Sequence, residues 1–297
     1  MKPITRYLAL FAFVALSACA SGAPLSSGKP FDLTPPKNVV ADGISYSQRA
    51  WPGAVPMQVA IIEIDLKTSG LSFAVSGGSV SDTSEYRSKT TSTYLRESGA
   101  VVAINGGYFG PVVATEGVGQ DAQGFAKSNG RVVSPASAPE KAGVAKAVVC
   151  FDRKQVQILA ALACPERFAN GLAAGPILVQ AGALKVDPKN TTRHPRSALG
   201  MNAAGDRLWL VTIDGRQTGY SEGASFAETA LILQALGAAD AINLDGGGST
   251  ALVYRDPVRG PRVLNRPIQG GIPGTERPVA THIGVFLKSR TKGQRAF

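Results

Sequence analysis

Three apolar runs in this 297-residue chain end in the same way, with a polar residue followed by glycine. The runs are AVVAINGG, LWLVTIDG and AINLDGGG, and they carry Asn105, Asp214, Asn243 and Asp245 at their ends. Apolar runs of this length are typical of buried strands. Glycine after a strand lets the backbone approach a ligand without an intervening side chain. An ordinary Asp-Gly turn explains any single case, but three cases indicate a pocket where strand ends meet.

The same pattern constrains the fold. Many short apolar runs and 34 glycines favour a strand-rich protein over a helical bundle. A helix is expected at residues 83–98, with Asp82 and Glu85 as its cap and Gly99 at its end. A second helix is expected at residues 225–236, where Ser225 and Glu228 would form a capping box and Gly237 would end the helix. The sequence therefore predicts an α+β fold, in which a single domain has a mixed or mainly antiparallel β-sheet core and a few covering helices.

Turn signals between the apolar runs predict local pairings. Residues 57–66 and 71–76 are expected to pair as the first two strands, and a short helix is expected near residues 165–172. The other signals predict hairpins that turn at Asn129-Gly130, Arg153-Lys154 and Ala204-Gly205-Asp206.

The first residues, MKPITRYLALFAFVALSACA, have the charged start and short apolar core of an export signal. The letters LSAC resemble the bacterial lipobox, which predicts a lipoprotein signal peptide at residues 1–18 and lipidation of Cys19. An ordinary cleaved signal is the alternative. Residues 19–40 are rich in Ser, Gly and Pro and are expected to form a flexible tether, followed by one domain at residues 41–297.

The alanine after the lipobox cysteine resembles the signal for outer-membrane sorting. We therefore expect an exported, periplasmic lipoprotein that meets the membrane through its lipid anchor. The remaining cysteines, Cys150 and Cys164, predict a disulfide in an exported chain, with a free redox pair as the alternative. That disulfide would contribute about 3 kcal/mol in the chain-entropy model.

Composition excludes several classes of site. The formal net charge is +10, but no helix-turn-helix or aromatic-rich RNA-binding pattern is present, so no nucleic acid partner is predicted. A basic exported protein meets anionic envelope polymers or lipid head groups instead. With two histidines and two spare cysteines, the chain has too few soft ligands for structural zinc, and no metal site is predicted.

The DGGGS segment offers the backbone amides of Gly246, Gly247 and Gly248 as a nest for an anion. It lacks the lysine of a nucleotide P-loop, and no Gly-x-Ser-x-Gly elbow of a serine hydrolase is present. Arg196 enters a strand nearby, and arginine is the preferred bidentate ligand for phosphate. A solvated basic loop is the alternative for Arg196.

The motifs AINGGYF, GPILVQAG, HPRSALG, VTIDGRQ, AINLDGGGST and ERPVATHIGV occur in the order found in phosphodiester glycosidases. The chain resembles that family over residues 58–288, with a departure at Thr281-His282, where an asparagine is commoner. The resemblance implies cleavage between the anomeric carbon of a sugar and a phosphate that is itself esterified. Bacterial members are linked to exopolysaccharide, so a sugar-phosphate or anionic polysaccharide is the expected substrate.

This chemistry gives the candidate residues their expected roles. Asp245 is the first candidate for the catalytic carboxylate and Asp214 the second, since an oxocarbenium-like transition state needs a carboxylate beside the anomeric carbon. Arg196 and the amides of residues 246–248 would hold the phosphate. The further substrate-binding candidates are Asn105, Gly106 and Asn243.

Two other functions stay open on the sequence. A non-catalytic lipoprotein could hold an anionic glycan in the same pocket. Alternatively, Asp214, Asp245 and Asn243 could hold calcium or magnesium in a metal-dependent phosphodiesterase. The family resemblance implies no cofactor, although a divalent cation such as calcium is compatible with these oxygen ligands.

Overall fold

The computed structural model describes residues 37–51, 55–79, 83–137, 143 and 145–288. The predicted signal peptide, Cys19 and tether residues 19–36 lie outside the described residues, as does the predicted helix cap Asp82. An ordered strand begins at Asn38, three residues before the expected start of the domain.

Strands make up most of the regular structure in this part of the chain. They are, in chain order, β1 (Asn38–Ala41), β2 (Ile44–Trp51), β3 (Met57–Asp65), β4 (Leu71–Val75), β5 (Tyr86–Arg87), β6 (Val102–Asn105), β7 (Phe109–Gly110), β8 (Gly119–Ala122), β9 (Ala126–Ser128), β10 (Arg131–Ser134), β11 (Ala147–Asp152), β12 (Gln155–Leu159), β13 (Asn170–Ala174), β14 (Ile177–Gln180), β15 (Ala183–Leu184), β16 (Arg196–Met201), β17 (Arg207–Ile213), β18 (Asp240–Asn243), β19 (Leu252–Asp256), β20 (Gly260–Val263) and β21 (His282–Leu287). The helices are α1 (Thr91–Ser98) and α2 (Phe226–Leu236), and 3-10 turns lie at Gly247–Ser249 and Gln269–Gly271.

The strands form four antiparallel sheets. The eight-stranded sheet has the order β1-β2-β3-β17-β16-β18-β14-β15, and two five-stranded sheets have the orders β20-β19-β6-β21-β4 and β10-β9-β13-β11-β12. A small sheet has the order β5-β8-β7. The mainly antiparallel core is therefore confirmed, but with two α-helices in the described ranges the fold is largely β rather than a balanced α+β arrangement.

The eight-stranded sheet is buried on both faces at its centre. On one face, Ile62 and Leu210 pack into a cluster with residues of the two five-stranded sheets, such as Ile104. On the other face, Ile61 and Val211 pack against the apolar side of α2. Alternation of side chains along β3 and β17 places neighbouring residues in different clusters. This burial fixes the strand ends that carry the polar residues.

The predicted pairing of residues 57–66 with 71–76 is wrong. β3 pairs along its whole length with β2 and β17 in the eight-stranded sheet, whereas β4 pairs with β21 in a different sheet. β2, which the sequence reading missed, supplies eight paired positions to β3. Both sides of β3 are thereby occupied, and the turn at residues 67–70 leads from one sheet to another.

The first predicted helix is also too long. Residues 86–87 form β5, with Tyr86 fully buried, and the helix begins only after Thr90, whose hydroxyl accepts a hydrogen bond from the Thr93 amide. Gly99 ends the helix in a left-handed conformation, as expected. The short helix expected near residues 165–172 is wrong as well, because the buried strand β13 begins there at Asn170.

Other local predictions are confirmed. The hairpins turn at Asn129-Gly130, Arg153-Lys154 and residues 204–206, between the strand pairs β9–β10, β11–β12 and β16–β17. Ser225 and Glu228 form the capping box of α2. The Cys150–Cys164 disulfide is present. None of the helices in the described ranges has both the length and the apolar character needed to cross a bilayer.

Candidate functional site

Two of the three polar strand ends meet at one place. Asn105, at the end of β6, donates a hydrogen bond from its amide to the backbone carbonyl of Asp245 at 2.7 Å. Its side-chain oxygen accepts from the Ser197 hydroxyl at 2.6 Å and from the Ala251 amide at 3.2 Å. Asn105 is fully buried. Its amide nitrogen also donates to the carbonyl of Gly106 at 3.5 Å. The side chain therefore ties Asp245 to two sheets, and its donors and its acceptor are used within the protein.

The backbone around Asp245 is held equally firmly. The Asp245 amide donates to the carbonyl of Gly106 at 3.0 Å, and the Gly106 amide donates to the carbonyl of Thr281 at 2.7 Å. A Cβ atom on Gly106 would lie 2.4 Å from the Thr281 hydroxyl, so this glycine is required for packing. The Thr281 hydroxyl also accepts from the Gly107 amide. Thr281 thus gives the departure from the family pattern a structural role.

Asp245 is half-buried. Burial raises its pKa to about 6, against the opposing effects of hydrogen bonds from the Ser249 hydroxyl and the Gly246 amide and of the charges of Arg277 and Arg216. The Gly246 amide lies 2.8 Å from Oδ1. A carboxyl group with this pKa is ionised at neutral pH and accepts a proton under mildly acidic conditions.

Two arginines pack across the glycines that follow Asp245. A Cβ atom on Gly248 would lie 2.4 Å from Nη2 of Arg277, and one on Gly247 would lie 3.1 Å from Nη2 of Arg216. Arg277 also donates to the Ser249 hydroxyl at 3.4 Å. Because these glycines have no side chains, two guanidinium groups fit beside the carboxyl group of Asp245.

The glycine amides themselves are used inside the protein. The Gly246 amide donates to the Asp245 carboxylate, and the Gly247 amide donates to the carbonyl of Pro195 at 2.9 Å. These two amides are therefore already hydrogen-bonded, whereas the sequence predicted that they would be free to bind an anion. Positive charge beside the Asp245 carboxyl group comes from the side chains of Arg277 and Arg216.

Arg196 is a third cation in this region and is 7% exposed. Its Nε donates to the carbonyl of Ala224 at 2.9 Å, and its guanidinium carbon lies 3.9 Å from the centre of the Phe226 ring. Burial lowers its pKa to about 10, and Arg216 adds to the lowering. No carboxylate of the described residues forms an ion pair with Arg196. A buried cation without a counter-ion fits a site for an anionic ligand.

Tyr108 and Asn243 line the same region. The Asn243 amide donates to the Tyr108 hydroxyl at 3.1 Å and to the carbonyl of Gly175 at 3.1 Å, and the Tyr108 hydroxyl donates to that carbonyl at 2.7 Å. Burial and the nearby Asp245 raise the pKa of Tyr108 to about 12, so it stays protonated. The side-chain oxygen of Asn243 is buried and has no hydrogen-bond partner within the described structure.

Four further residues of this region were not among the candidates from the sequence: Tyr108, His194, Arg216 and Arg277. Each lies inside a motif that the family resemblance uses, in GGYF, RHPR, DGRQ and ERPV. Nη2 of Arg216 lies 3.3 Å from Nδ1 of His194. Burial lowers the pKa of His194, followed by the charges of Arg196 and Arg216, so the imidazole is neutral at neutral pH.

Asp214 lies in different surroundings. Its carboxylate accepts hydrogen bonds from the Asn265 side chain at 3.0 Å, from the Arg266 amide at 2.8 Å and from the Tyr220 hydroxyl at 3.3 Å. Asp214 is 3% exposed, and burial raises its pKa while these donors oppose the rise. Its oxygens are thus used to hold the segment at residues 264–266 and the turn at residues 217–221.

Within the described part of the chain, no group of three or more histidine, cysteine, aspartate or glutamate side chains is arranged to hold a metal ion. Of the three oxygen ligands considered above, Asn243 is the last residue of β18 and Asp245 follows two residues later, while the carboxylate of Asp214 accepts from Asn265 and Arg266.

A family model described as phosphodiester glycosidase matches residues 98–286 of the chain. No curated protein matches the chain.

Three solved structures share the fold. A hypothetical protein from Synechocystis has a TM-score of 0.60 and 18% identity, with 86% of this chain and 64% of that chain covered. The chain therefore spans slightly less than two thirds of the Synechocystis protein. The catalytic domain of zebrafish N-acetylglucosamine-1-phosphodiester alpha-N-acetylglucosaminidase, auto-inhibited by its pro-peptide, has a TM-score of 0.60 and 16% identity, with 88% and 86% covered. A Burkholderia pseudomallei protein has a TM-score of 0.56 and 15% identity, with 80% and 75% covered.

Proposed function

Because the chain belongs to the phosphodiester glycosidase family, we propose that it hydrolyses the anomeric C–O bond of a sugar-1-phosphodiester. One observation carries this proposal: the carboxyl group of Asp245 lies beside the guanidinium groups of Arg216 and Arg277. A phosphodiester glycosidase needs a carboxylate next to the anomeric carbon and cations next to the phosphate.

The chemistry follows from the leaving group. When the C–O bond breaks, the bonding electrons leave with the phosphate, which departs as a phosphomonoester and needs little protonation. Arg216, Arg277 and the unpaired Arg196 share its negative charge, which grows in the transition state. The oxygen of water ends on the anomeric carbon, and the water proton passes to the solvent or to the leaving phosphate.

Asp245 is the group that acts at the anomeric carbon. Its carboxylate either attacks the carbon and forms a glycosyl-enzyme or removes the proton from the attacking water. Both roles need the ionised form, which dominates above about pH 6. Asn105 and Asp214 act as positioning residues, since their side chains hold the backbone of Asp245 and the segment at residues 265–266.

The substrate belongs to the cell envelope or to exopolysaccharide in this proposal, and the protein is an exported lipoprotein of the outer membrane. The disulfide between Cys150 and Cys164 supports an oxidising compartment. Metabolic labelling with palmitate tests the anchor. Wild-type protein should carry the label in the membrane fraction, and Cys19→Ala should carry none. Equal labelling of the two proteins would contradict the anchor.

A panel of sugar-1-phosphodiesters tests the activity. The proposal predicts release of reducing sugar together with the phosphomonoester of the aglycone, and equal turnover after exhaustive chelation. Release of sugar-1-phosphate would instead identify a phosphodiesterase. Tight binding of an anionic glycan, with no product from any member of the panel, would identify a binding protein.

A further inference from the structure

A pocket of about 410 Å³ opens beside the candidate site. Its walls are apolar and come from Ala147, Pro176, Ile177 and the ring of Phe226, while Lys146 and Lys185 lie at its rim. Small-molecule sites have this size and this combination of apolar walls with a few polar groups.

The pocket shares two of its walls with the site. Phe226 lies under the guanidinium group of Arg196, with 3.9 Å between the ring centre and the guanidinium carbon. Pro176 follows Gly175, whose carbonyl accepts hydrogen bonds from the side chains of Tyr108 and Asn243. The carbonyl of Pro176 accepts a hydrogen bond from the backbone amide of Asn243 at 3.0 Å. The pocket and the candidate site are therefore neighbours that share the Phe226 ring and the Gly175-Pro176 segment.

The lining groups define what the pocket accepts. Pro176, Ile177 and Phe226 are only half-buried, so apolar surface is available for contact. Lys146 and Lys185 are exposed, and neither forms an ion pair with another described residue. Two cations at the mouth of an apolar pocket complement an apolar chain that carries an anionic group.

A phosphodiester has two ester arms, and a site that holds the sugar at Asp245 must accommodate the other arm. We propose that this pocket is the aglycone subsite and that the substrate is a sugar-1-phosphodiester of an apolar alcohol bearing a further anionic group. This inference rests on the proposed function. Phe226 and Ile177 contact the apolar chain, and the two lysines bind its anion.

Three synthetic substrates with the same sugar test the subsite. Their aglycones are methyl, octyl, and an octyl chain ending in a carboxylate. Wild-type kcat/KM should be at least about tenfold higher for octyl than for methyl, because several methylene groups leave water. The terminal carboxylate should add about threefold at low salt, and this gain should shrink as salt screens the lysines. Equal kcat/KM for all three would overturn the subsite while leaving the function intact. Cleavage of none would overturn both.

Matched variants assign the effect to residues. Ile177→Thr keeps a β-branched residue in β14 and should lower the octyl-to-methyl ratio about threefold. The double variant Lys146→Ala with Lys185→Ala should abolish the gain from the terminal carboxylate. The control, Lys154→Ala with Lys288→Ala, removes the same charge from a different groove and should keep that gain.

Each readout is a ratio of two substrates on one preparation, so loss of folded enzyme cancels. Octyl-to-methyl ratios that stay at the wild-type value in Ile177→Thr would contradict the apolar wall. A carboxylate gain that both lysine doubles lose equally would contradict the assignment to Lys146 and Lys185.

Discussion

Asp214 and Asp245 come from nearly the same sequence pattern, since each closes an apolar run and is followed by glycine. Their surroundings differ. The carboxylate of Asp214 accepts from Asn265, Arg266 and Tyr220, all of which belong to the protein's own scaffold. Asp245 is half-buried, and its carboxyl group lies beside Arg216 and Arg277, next to glycines that leave room for both guanidinium groups.

The difference shows what a strand-end aspartate needs in order to become a reactive group. A fully hydrogen-bonded carboxylate contributes to stability, because each of its donors would otherwise be buried without a partner. A half-buried carboxylate with a raised pKa and cations nearby is a candidate for chemistry instead. Whether a strand-end aspartate is structural or reactive therefore depends on the residues that surround its carboxylate, not on the strand end itself.

The largest effect is expected from Asp245→Asn. Removing the carboxylate should lower kcat/KM about 1,000-fold, as expected for a group that acts at the reacting carbon. The folded protein should not be weakened. Because the pKa of Asp245 is raised to about 6, the protonated carboxyl group favours the folded state and the ionised carboxylate opposes it. The stability that the protonated form contributes is lost as the pH rises through about 6.

Thermal unfolding at about pH 8 is the control for this variant, and Asp245→Asn should unfold at or above the wild-type temperature. Wild-type turnover in Asp245→Asn would remove Asp245 from the chemistry.

A smaller loss is expected from Gly248→Ala. The added Cβ would lie 2.4 Å from Nη2 of Arg277, so the guanidinium group must move away from the site. We expect kcat/KM to fall about 30-fold, since one phosphate-binding cation is displaced. Gly77→Ala is the matched control, because its Cβ would have no neighbour closer than 3.9 Å, and it should behave like wild type. Equal kinetics for the two variants would show that Arg277 does not hold the substrate.

Asp214 should respond in the opposite way to Asp245. Asp214→Ala leaves the donors of Asn265 and Arg266 without an acceptor and should lower the free energy of unfolding by about 3 kcal/mol. Asp214→Asn keeps one oxygen acceptor and should retain kcat/KM within about tenfold of wild type. Denaturant unfolding and kinetics on both variants measure this. A stable but inactive Asp214→Asn would make Asp214 a second catalytic carboxylate.

The smallest effect concerns pH. Log kcat/KM should fall on the acid side of about pH 6, where Asp245 takes up a proton. The charge of Arg277 lowers the pKa of Asp245, so Arg277→Gln should move the acid limb of the pH profile of kcat/KM to higher pH by less than about one unit. A pH profile of the variant against wild type gives the shift. A limb that moves to lower pH, or is absent in wild type, would contradict the assignment to Asp245.

The sequence was sufficient for local structure with a strong chemical signal. Asn129-Gly130 set a hairpin turn, and Ser225 with Glu228 set the start of α2. Pairing across sheets was not predictable in the same way, because β3 pairs with β17 and β4 pairs with β21, and both partners are distant in sequence. The length of α1 was misjudged because burial of Tyr86 in β5 overrides the helical signal there.

For the candidate site as well, the local features were predictable and the contacts between distant segments were not. Asn105 and Asp245 were identified because their strands end in glycine, and these two residues do meet. Arg216 and Arg277 were missed because each lies in a loop, and only the packing of their guanidinium groups over Gly247 and Gly248 places them beside the carboxyl group. Periodicity and spacing carry no information on such contacts between distant loops.

The central claim is that Asp245 and its arginines direct cleavage to the anomeric carbon rather than to phosphorus. Hydrolysis of a sugar-1-phosphodiester in water enriched in the heavy oxygen isotope tests this directly, with mass spectrometry of both products. The account predicts that the label enters the reducing sugar and that the phosphomonoester carries none. Label in the phosphate would contradict it, because the attack would then have occurred at phosphorus.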